Sequence, residues 1–418
     1  MDGTPYGVGT LAVERATHPT VVTIQNKAPA FTQAVAINKL LAGADTAAAV
    51  LALFASRGKA YDAVNLATSL HRLGSLGRAF VAKASTAELR LLLDRAEAHI
   101  QSDAASWRSR ELASAAWGAA RLGGDTKKLF SALALAAEKK SEAFNSQNIS
   151  NIAWAFATAK VDAPKLFEKL AASAPNKMDT FNAQALANTA WAFATAGAEA
   201  PLLFEAIAAH APKKLATFNA QNLANTAWAF AKAGFEAPVL FEAGRRRKYR
   251  LGKISTFVPQ ALANTAWAFA KAGFEAPVLF DAVAQEAEKK MDTFTAQALA
   301  NTAWAFSTAG FVHEDLFEAV ARAAPNKLEQ FNAQALASTV WAFSKAGIEA
   351  PALFEAVAAE ALIKMPSFDA QAVATMQWAY AAVGFHAPLL RDALQERRAE
   401  TTPKVWSDGA GPGTERRW

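Results

Sequence analysis

The sequence contains no cysteine, which excludes disulfide bridges and thiolate metal sites and is typical of a protein in a reducing compartment. It has no run of about 18 consecutive apolar residues, so no transmembrane helix is expected. It also lacks a Gly-rich phosphate loop, and its six histidines show no spacing typical of metal ligands. These absences predict a protein without enzymatic activity, cofactor, metal, small-molecule substrate or membrane association.

One motif recurs along most of the chain and reads FNAQALANTAWAFATAG at residues 181–197. Successive copies are 37 residues apart, except for one interval of 39. Self-similarity at such a period is typical of solenoids built from stacked supersecondary units. The tryptophans that mark the copies are Trp117, Trp154, Trp191, Trp228, Trp267, Trp304, Trp341 and Trp378.

Each copy carries the start and stop signals of two helices. Asn182 is a good N-cap, and Phe181 and Leu186 flank it at the positions of a hydrophobic staple. Gly197 suits the left-handed residue that ends a helix, and Pro201 suits the first turn of the next one. The pattern predicts an all-α fold, a right-handed α-solenoid of about nine helix-turn-helix repeats.

Helical periodicity divides the first helix of each repeat into two faces. Leu186, Ala190 and Phe193 share an apolar face, and Asn188 and Trp191 lie on the opposite stripe. Such short, Ala-rich helices are marginally stable alone. We therefore expect each repeat to bury its apolar face against its neighbours.

The repeats divide the chain into four predicted segments. Residues 1–34 are expected to be a poorly ordered leader, in which no targeting peptide is evident. Residues 35–105 are predicted to form degenerate capping helices, with His71 at a tryptophan position. Eight Trp-centred repeats occupy 106–398, and a disordered tail follows at 399–418.

The excess of positive charge comes from one segment. The chain carries a net charge of +6, and residues 244–253 hold six basic residues and no acid. This insert could be a nucleic-acid patch, a localisation-type signal or an error in the gene model. Its core residues are Arg245, Arg246, Arg247, Lys248 and Arg250.

A lysine recurs in the loop that follows each second helix. Equivalent positions of a solenoid line up along one edge, so these ammonium groups could follow a phosphate backbone. They could equally complement the helix macrodipole at the helix C-terminus, and the two roles are compatible. The predicted RNA phosphate-binding residues are Lys140, Lys177, Lys214, Lys253, Lys290, Lys327 and Lys364.

Amides recur on the tryptophan stripe, seven and three residues before the tryptophan. Amides can read base edges and tryptophans can stack on bases, but a one-base-per-repeat reader needs residues that differ between repeats. These residues barely differ, which favours a structural role, with amide ladders between repeats and the tryptophans packed between units. They are Gln147, Gln184, Gln221, Gln260, Gln297, Gln334 and Gln371, with Asn151, Asn188, Asn225, Asn264 and Asn301.

Two variable positions are better candidates for base contacts. One lies four residues after the tryptophan, and the other lies one residue after the glutamine. Alanine occupies many of these places and cannot read a base by hydrogen bonding, so any code would be sparse. The candidates are Arg121, Asn148, Thr158, Thr195, Asn222, Lys232, Lys271, Thr308 and Lys345.

The core Leu-Ala-Asn-Thr-x-Trp-Ala-Phe and the upstream AINKLLAGADTAAAVLALF resemble a known group of sequences. They are similar to octotricopeptide-type helical repeats and to the helical region of the FAST-kinase-domain and RAP-domain proteins. The resemblance covers roughly residues 35–398. It implies binding of single-stranded RNA in a mitochondrion or plastid, in RNA processing, stability, ribosomal-RNA maturation or translation. It also allows other proteins of an RNA-processing complex as partners.

A protein-interaction scaffold of the armadillo or tetratricopeptide type is the alternative function. An RNA reader should present accessible stripe residues and a continuous positive edge. A scaffold should instead present an apolar or acidic groove, with the recurring lysines neutralised by glutamate.

Overall fold

The computed structural model describes residues 30–77, 86–236 and 254–401, and these ranges contain 19 α-helices and no β-strand. The helices pack as neighbouring hairpins, which confirms the predicted all-α solenoid. Its right-handed sense stays a prediction. The basic insert, nearly all of the leader and nearly all of the tail lie outside the described residues.

The helices alternate between two layers. The first layer consists of α1 (Ala30–Ala42), α3 (Ala63–Leu76), α5 (Ser109–Leu122), α7 (Ser146–Ala159), α9 (Ala183–Ala196), α11 (Ala220–Ala233), α12 (Pro259–Lys271), α14 (Ala296–Ala309), α16 (Ala333–Ala346) and α18 (Ala370–Ala382). The second layer consists of α2 (Ala47–Arg57), α4 (Thr86–Ser102), α6 (Lys127–Glu138), α8 (Pro164–Ser173), α10 (Pro201–Lys214), α13 (Pro277–Lys290), α15 (Glu314–Ala323), α17 (Pro351–Lys364) and α19 (Pro388–Thr401).

First-layer helices of neighbouring repeats pack along their length, whereas second-layer helices touch one another more sparingly. The first layer therefore lies on the tighter, inner side of the stack. Its buried face meets the second layer, and its opposite face forms the inner surface.

The local signals act as the sequence predicts. The Asn182 side chain caps α9 by accepting a hydrogen bond from the backbone N–H of Ala185, and Phe181 before it is fully buried. Gly197 ends α9 in the left-handed conformation, with φ of 65°. Pro201 begins α10 at its first helical position.

Aromatic pairs join successive repeats in the core. A phenylalanine of six second-layer helices, α6, α8, α10, α13, α15 and α17, meets an aromatic ring of the next first-layer helix edge-on, as for Phe167 with Phe193 and Phe317 with Phe343. The ring centroids in these two pairs are 4.9 and 5.1 Å apart. Edge-to-face packing at this distance adds stability beyond the area buried.

The first helix begins a few residues before the predicted capping helices. Helix α1 begins at Ala30, inside the predicted leader, and α1 and α2 form a hairpin that continues both layers. The described ranges therefore contain ten first-layer helices, in agreement with the prediction of about nine repeats. At the other end, α19 runs to Thr401, slightly beyond the predicted last repeat.

Among the described helices, none combines the length and the apolar character that crossing a bilayer requires.

Candidate functional site

The inner surface of the first layer carries a continuous row of polar and aromatic side chains, which we call the strip. It consists of the glutamines, asparagines and tryptophans that recur in the repeats. The glutamines are exposed, the asparagines are half-buried, and the tryptophans are half-buried except for Trp378, which is 49% exposed. All three sets therefore reach the surface.

The tryptophans of the strip form an aromatic ladder in two runs, one of Trp117 and Trp154 and one from Trp228 to Trp378, and among the described residues no ring contact joins Trp191 to either run. Neighbouring indole centroids are 6.3 Å apart for Trp117 and Trp154, and 6.1 Å apart for Trp267 and Trp304. The last pair, Trp341 and Trp378, is separated by 6.3 Å with the rings inclined by 43°.

His71 extends this ladder at the N-terminal end. Its ring stacks on Trp117 with a centroid separation of 4.8 Å. Burial lowers the pKa of His71, and the charges of Arg72 and Arg110 lower it further. The lowered pKa favours the neutral ring at neutral pH, and α3 contributes a flat aromatic surface where later first-layer helices contribute tryptophan.

The amide groups of the strip are not used in hydrogen bonds between repeats. Within residues 30–77, 86–236 and 254–401, no hydrogen bond joins the amides of neighbouring repeats, so the amide ladders favoured by the sequence are absent there. Gln297 donates to Asn301 Oδ1 at 2.8 Å, within one helix. Most strip amides therefore keep their donors and acceptors for solvent or a ligand.

The recurring lysines, by contrast, are engaged by the backbone. Lys177 Nζ donates to the carbonyls of Glu142 at 2.8 Å and Phe144 at 2.7 Å, in the turn that precedes α7. Because Lys177 itself lies in the turn that precedes α9, its ammonium joins two successive turns. Equivalent contacts are made by Lys140, Lys214, Lys290, Lys327 and Lys364, and we call these six residues the turn lysines.

An ammonium has three N–H donors, and these carbonyls occupy two or more of them. Lys290 and Lys364 also form ion pairs at 2.7 Å, with Glu286 and Glu360. The geometry thus assigns the turn lysines to joining repeats. Their predicted phosphate contact stays a prediction, and Lys253, its seventh member, lies outside the described residues together with the basic insert.

Two predicted base-contacting residues are tied into helix N-termini. Asn148 Oδ1 accepts from the backbone N–H of Asn145 and completes a capping box. Asn222 is only 7% exposed. Both occupy the third helical position, where the Asn148 side chain is held by the cap and Asn222 is buried, and their predicted base contact stays a prediction.

The seven polar residues four places after a tryptophan behave in two ways, and Ala382 holds the eighth such place. Thr158, Thr195 and Thr308 have buried Oγ1 atoms without a hydrogen-bond partner, so their hydroxyls do not face the strip surface. Arg121, Lys232, Lys271 and Lys345 are exposed instead, and we call these four residues the edge cations.

Three edge cations lie over the tryptophan of their own helix. The Lys232 ammonium is 5.3 Å from the Trp228 ring centroid, and the Lys345 ammonium is 4.8 Å from that of Trp341. The Arg121 guanidinium is 5.1 Å from that of Trp117. These cation–π contacts place positive charge directly beside the aromatic ladder.

An open groove with a volume of about 650 Å³ crosses α12, α14, α16 and α18. It is lined by Trp267, Lys271, Asn301, Trp304, Trp341 and Asp369, among others. The groove offers indole rings, amides, one cation and one carboxylate on a single concave surface. In the described part of the chain, no group of three or more histidine, aspartate or glutamate residues is placed to hold a metal ion.

Comparison with known proteins adds one finding. A family model described as RNA-editing substrate-binding complex 6 protein matches residues 43–250 and 213–399, which together span most of the chain. No curated protein sequence shows a significant match.

Proposed function

Because the chain belongs to the family of RNA-editing substrate-binding complex 6 proteins, we propose that it binds single-stranded RNA along the strip, as one component of an RNA-editing assembly. The proposed role is binding without catalysis. Its setting is organelle RNA metabolism, which rests on the resemblance to organellar helical-repeat proteins.

The observation that carries the proposal is the accessibility of the strip. Its glutamines are exposed, its asparagines and tryptophans reach the surface, and its amides do not bond across repeats over the described residues. An accessible stripe is what an RNA reader requires. Two turn lysines are paired with glutamate, as expected of a scaffold, but they lie in the turns and outside the strip.

The chemistry of the strip suits unpaired bases. Single-stranded RNA exposes flat ring faces, which stack on aromatic side chains, and base edges, which exchange hydrogen bonds with amides. Because the amides recur almost unchanged, the strip provides the same contacts at every repeat. We therefore expect broad affinity for single strands, with modest sequence preference.

Charge reversal on the strip tests the proposal. The variant Gln260→Glu/Gln297→Glu/Gln334→Glu keeps side-chain size and places three carboxylates on the exposed edge of the strip. Repulsion of RNA phosphates should weaken binding of a mixed-sequence single-stranded RNA pool by about ten-fold or more, measured by fluorescence anisotropy at low salt.

The matched control is Gln285→Glu/Gln330→Glu/Gln395→Glu, which changes three exposed glutamines of second-layer helices and a turn. It carries the same added charge and should bind RNA almost as the parent does. Equal losses in both variants would mean that binding follows overall charge rather than the strip. Absence of RNA binding at low salt would favour the protein-interaction scaffold.

A further inference from the structure

The edge cations follow one border of the strip. Each lies four residues, or about one helical turn, beyond its tryptophan, toward the C-terminal end of the first-layer helix. The strip glutamines lie seven residues before the tryptophan, at the opposite border. Along the helix axis the two borders are therefore separated by 11 residues, or about 16 Å.

The edge cations are exposed to solvent. Within the described residues, none of them forms an ion pair with a carboxylate. The interhelical turns of the same ranges also carry Glu236, Glu275 and Glu349, and none of these pairs with the lysine that precedes it. Arg121 uses its Nε to donate to the Gly74 carbonyl at 2.8 Å, which leaves its terminal nitrogens for other partners.

The two sets of cations thus differ in what their nitrogens can still bind. The turn lysines are half-buried and bound to backbone carbonyls. The edge cations are exposed, and at least three of them are held beside an indole. A cation–π contact orients an ammonium without occupying its N–H donors.

We propose that the edge cations Arg121, Lys232, Lys271 and Lys345, rather than the turn lysines, contact the phosphates of the bound single strand. The inference rests on the proposed function and assigns an orientation to the RNA. The sugar–phosphate backbone follows the border formed by the C-terminal ends of the first-layer helices. The bases lie over the tryptophans, with their edges directed toward the asparagines and glutamines.

This arrangement also predicts that the strength of phosphate binding varies along the stack. Threonine replaces the cation at Thr158, Thr195 and Thr308, so the phosphates opposite these repeats meet no charge from this border. Two such repeats separate Arg121 from Lys232, whereas Lys232 and Lys271 belong to adjacent repeats. The central repeats, which also lead into the groove, should hold the backbone most firmly.

Salt dependence of affinity tests the assignment, because each phosphate contact on a single strand contributes about −0.7 to the slope of log affinity against log salt. The variant Lys232→Gln/Lys271→Gln/Lys345→Gln should therefore make the slope shallower by about 2. The probe is fluorescein-labelled single-stranded oligouridine, titrated by anisotropy at several salt concentrations.

The matched control is Lys139→Gln/Lys169→Gln/Lys213→Gln, which removes the same charge from exposed lysines associated with the second-layer helices. Its slope should remain close to that of the parent chain. Circular dichroism before each titration establishes that both variants are folded.

The outcomes separate the two proposals. If the parent binds RNA but the edge variant keeps the parental slope, or the control flattens equally, the phosphate assignment is wrong and the RNA-binding function stands. If the parent binds no RNA at low salt, both fail. A shallower slope confined to the edge variant supports the assignment.

Discussion

Lys160 is the residue at which the chain departs most clearly from its own pattern. Its φ is 53°, in the left-handed region, at the position where other repeats place Gly197, Gly234 and Gly310. A side chain in this conformation costs about 1–2 kcal/mol, because Cβ approaches the following carbonyl oxygen. The packing of the repeats therefore holds this turn in the left-handed conformation even where the residue is not glycine.

Replacing this lysine should stabilise the protein. We expect Lys160→Gly to raise the free energy of unfolding by about 0.5–1 kcal/mol, since relief of strain exceeds the added entropy of the unfolded chain. The measurement is urea unfolding followed by circular dichroism. Lys169→Gly, inside α8, is the control and should lower stability by a similar amount. Equal destabilisation by both substitutions would show that Lys160 is not strained.

Residue-level features of this kind were largely predictable from the sequence. The Asn182 cap, the Phe181 staple and the Gly197 ending each depend on partners within a few residues, so a local pattern is sufficient to place them. The hydrogen-bond acceptors of Lys177 were not predictable. These acceptors lie 33 and 35 residues earlier in the chain. The local sequence around a lysine at a helix end does not distinguish a lysine that binds a carbonyl from one that binds a phosphate.

At the scale of elements, helices α3 and α5 bring their backbones into direct contact. A methyl group on Gly74 would lie 2.8 Å from the Cα of Gly118, and one on Gly118 would collide with the Leu70 carbonyl. Both obstacles are backbone atoms, which cannot rotate away. The degenerate unit is therefore joined to the regular repeats by a glycine contact, where later interfaces use alanine.

Gly118→Ala should separate these two helices. We expect a loss of about 1–3 kcal/mol of stability, the usual cost of overpacking, and a lower thermal unfolding midpoint. Gly43→Ala is the control, because its nearest atoms would be at 3.8 Å and no shift is needed. A Gly118→Ala protein as stable as the parent would mean that α5 can move without loss.

The N-terminal helices and the strip amides depend on packing that sequence periodicity does not encode. Helices α1 and α2 carry neither the tryptophan nor the spacing of the motif, so the sequence predicted them only as degenerate capping helices. Their place is set by packing, with α1 against α3 and α2 against α4. The strip was located correctly on the stripe opposite the apolar face, and most of its tryptophans pack between repeats as expected. The expected amide ladders are absent over the described residues, because amide spacing does not reveal whether neighbouring amides meet.

At the scale of the whole molecule, the turn lysines decide how strongly the repeats act together. In a solenoid, stability is approximately a sum of repeat terms and nearest-neighbour terms, so contacts between successive turns govern cooperativity. Lys177 and Lys327 each bind two carbonyls of the preceding turn, and hydrogen bonds to charged groups contribute about 1.5–3 kcal/mol each.

Removing these ammonium groups should uncouple neighbouring repeats. We expect Lys177→Met/Lys327→Met to lower stability by about 2–6 kcal/mol and to broaden the urea transition, because segments on either side would unfold separately. Lys169→Met, an exposed change on α8, should do neither. A sharp transition at the parental midpoint would show that the carbonyl contacts add nothing to the coupling.

Each turn lysine makes the same contact at every interface between repeats for which it is described. This uniformity determines how such a chain can change length. Each turn with such a lysine supplies an ammonium to the turn before it and carbonyls to the ammonium of the turn after it, so any copy can follow any other. A duplication of one 37-residue period within the gene would therefore leave every joint chemically complete. Such a protein can therefore gain or lose whole repeats without requiring a new kind of interface between them.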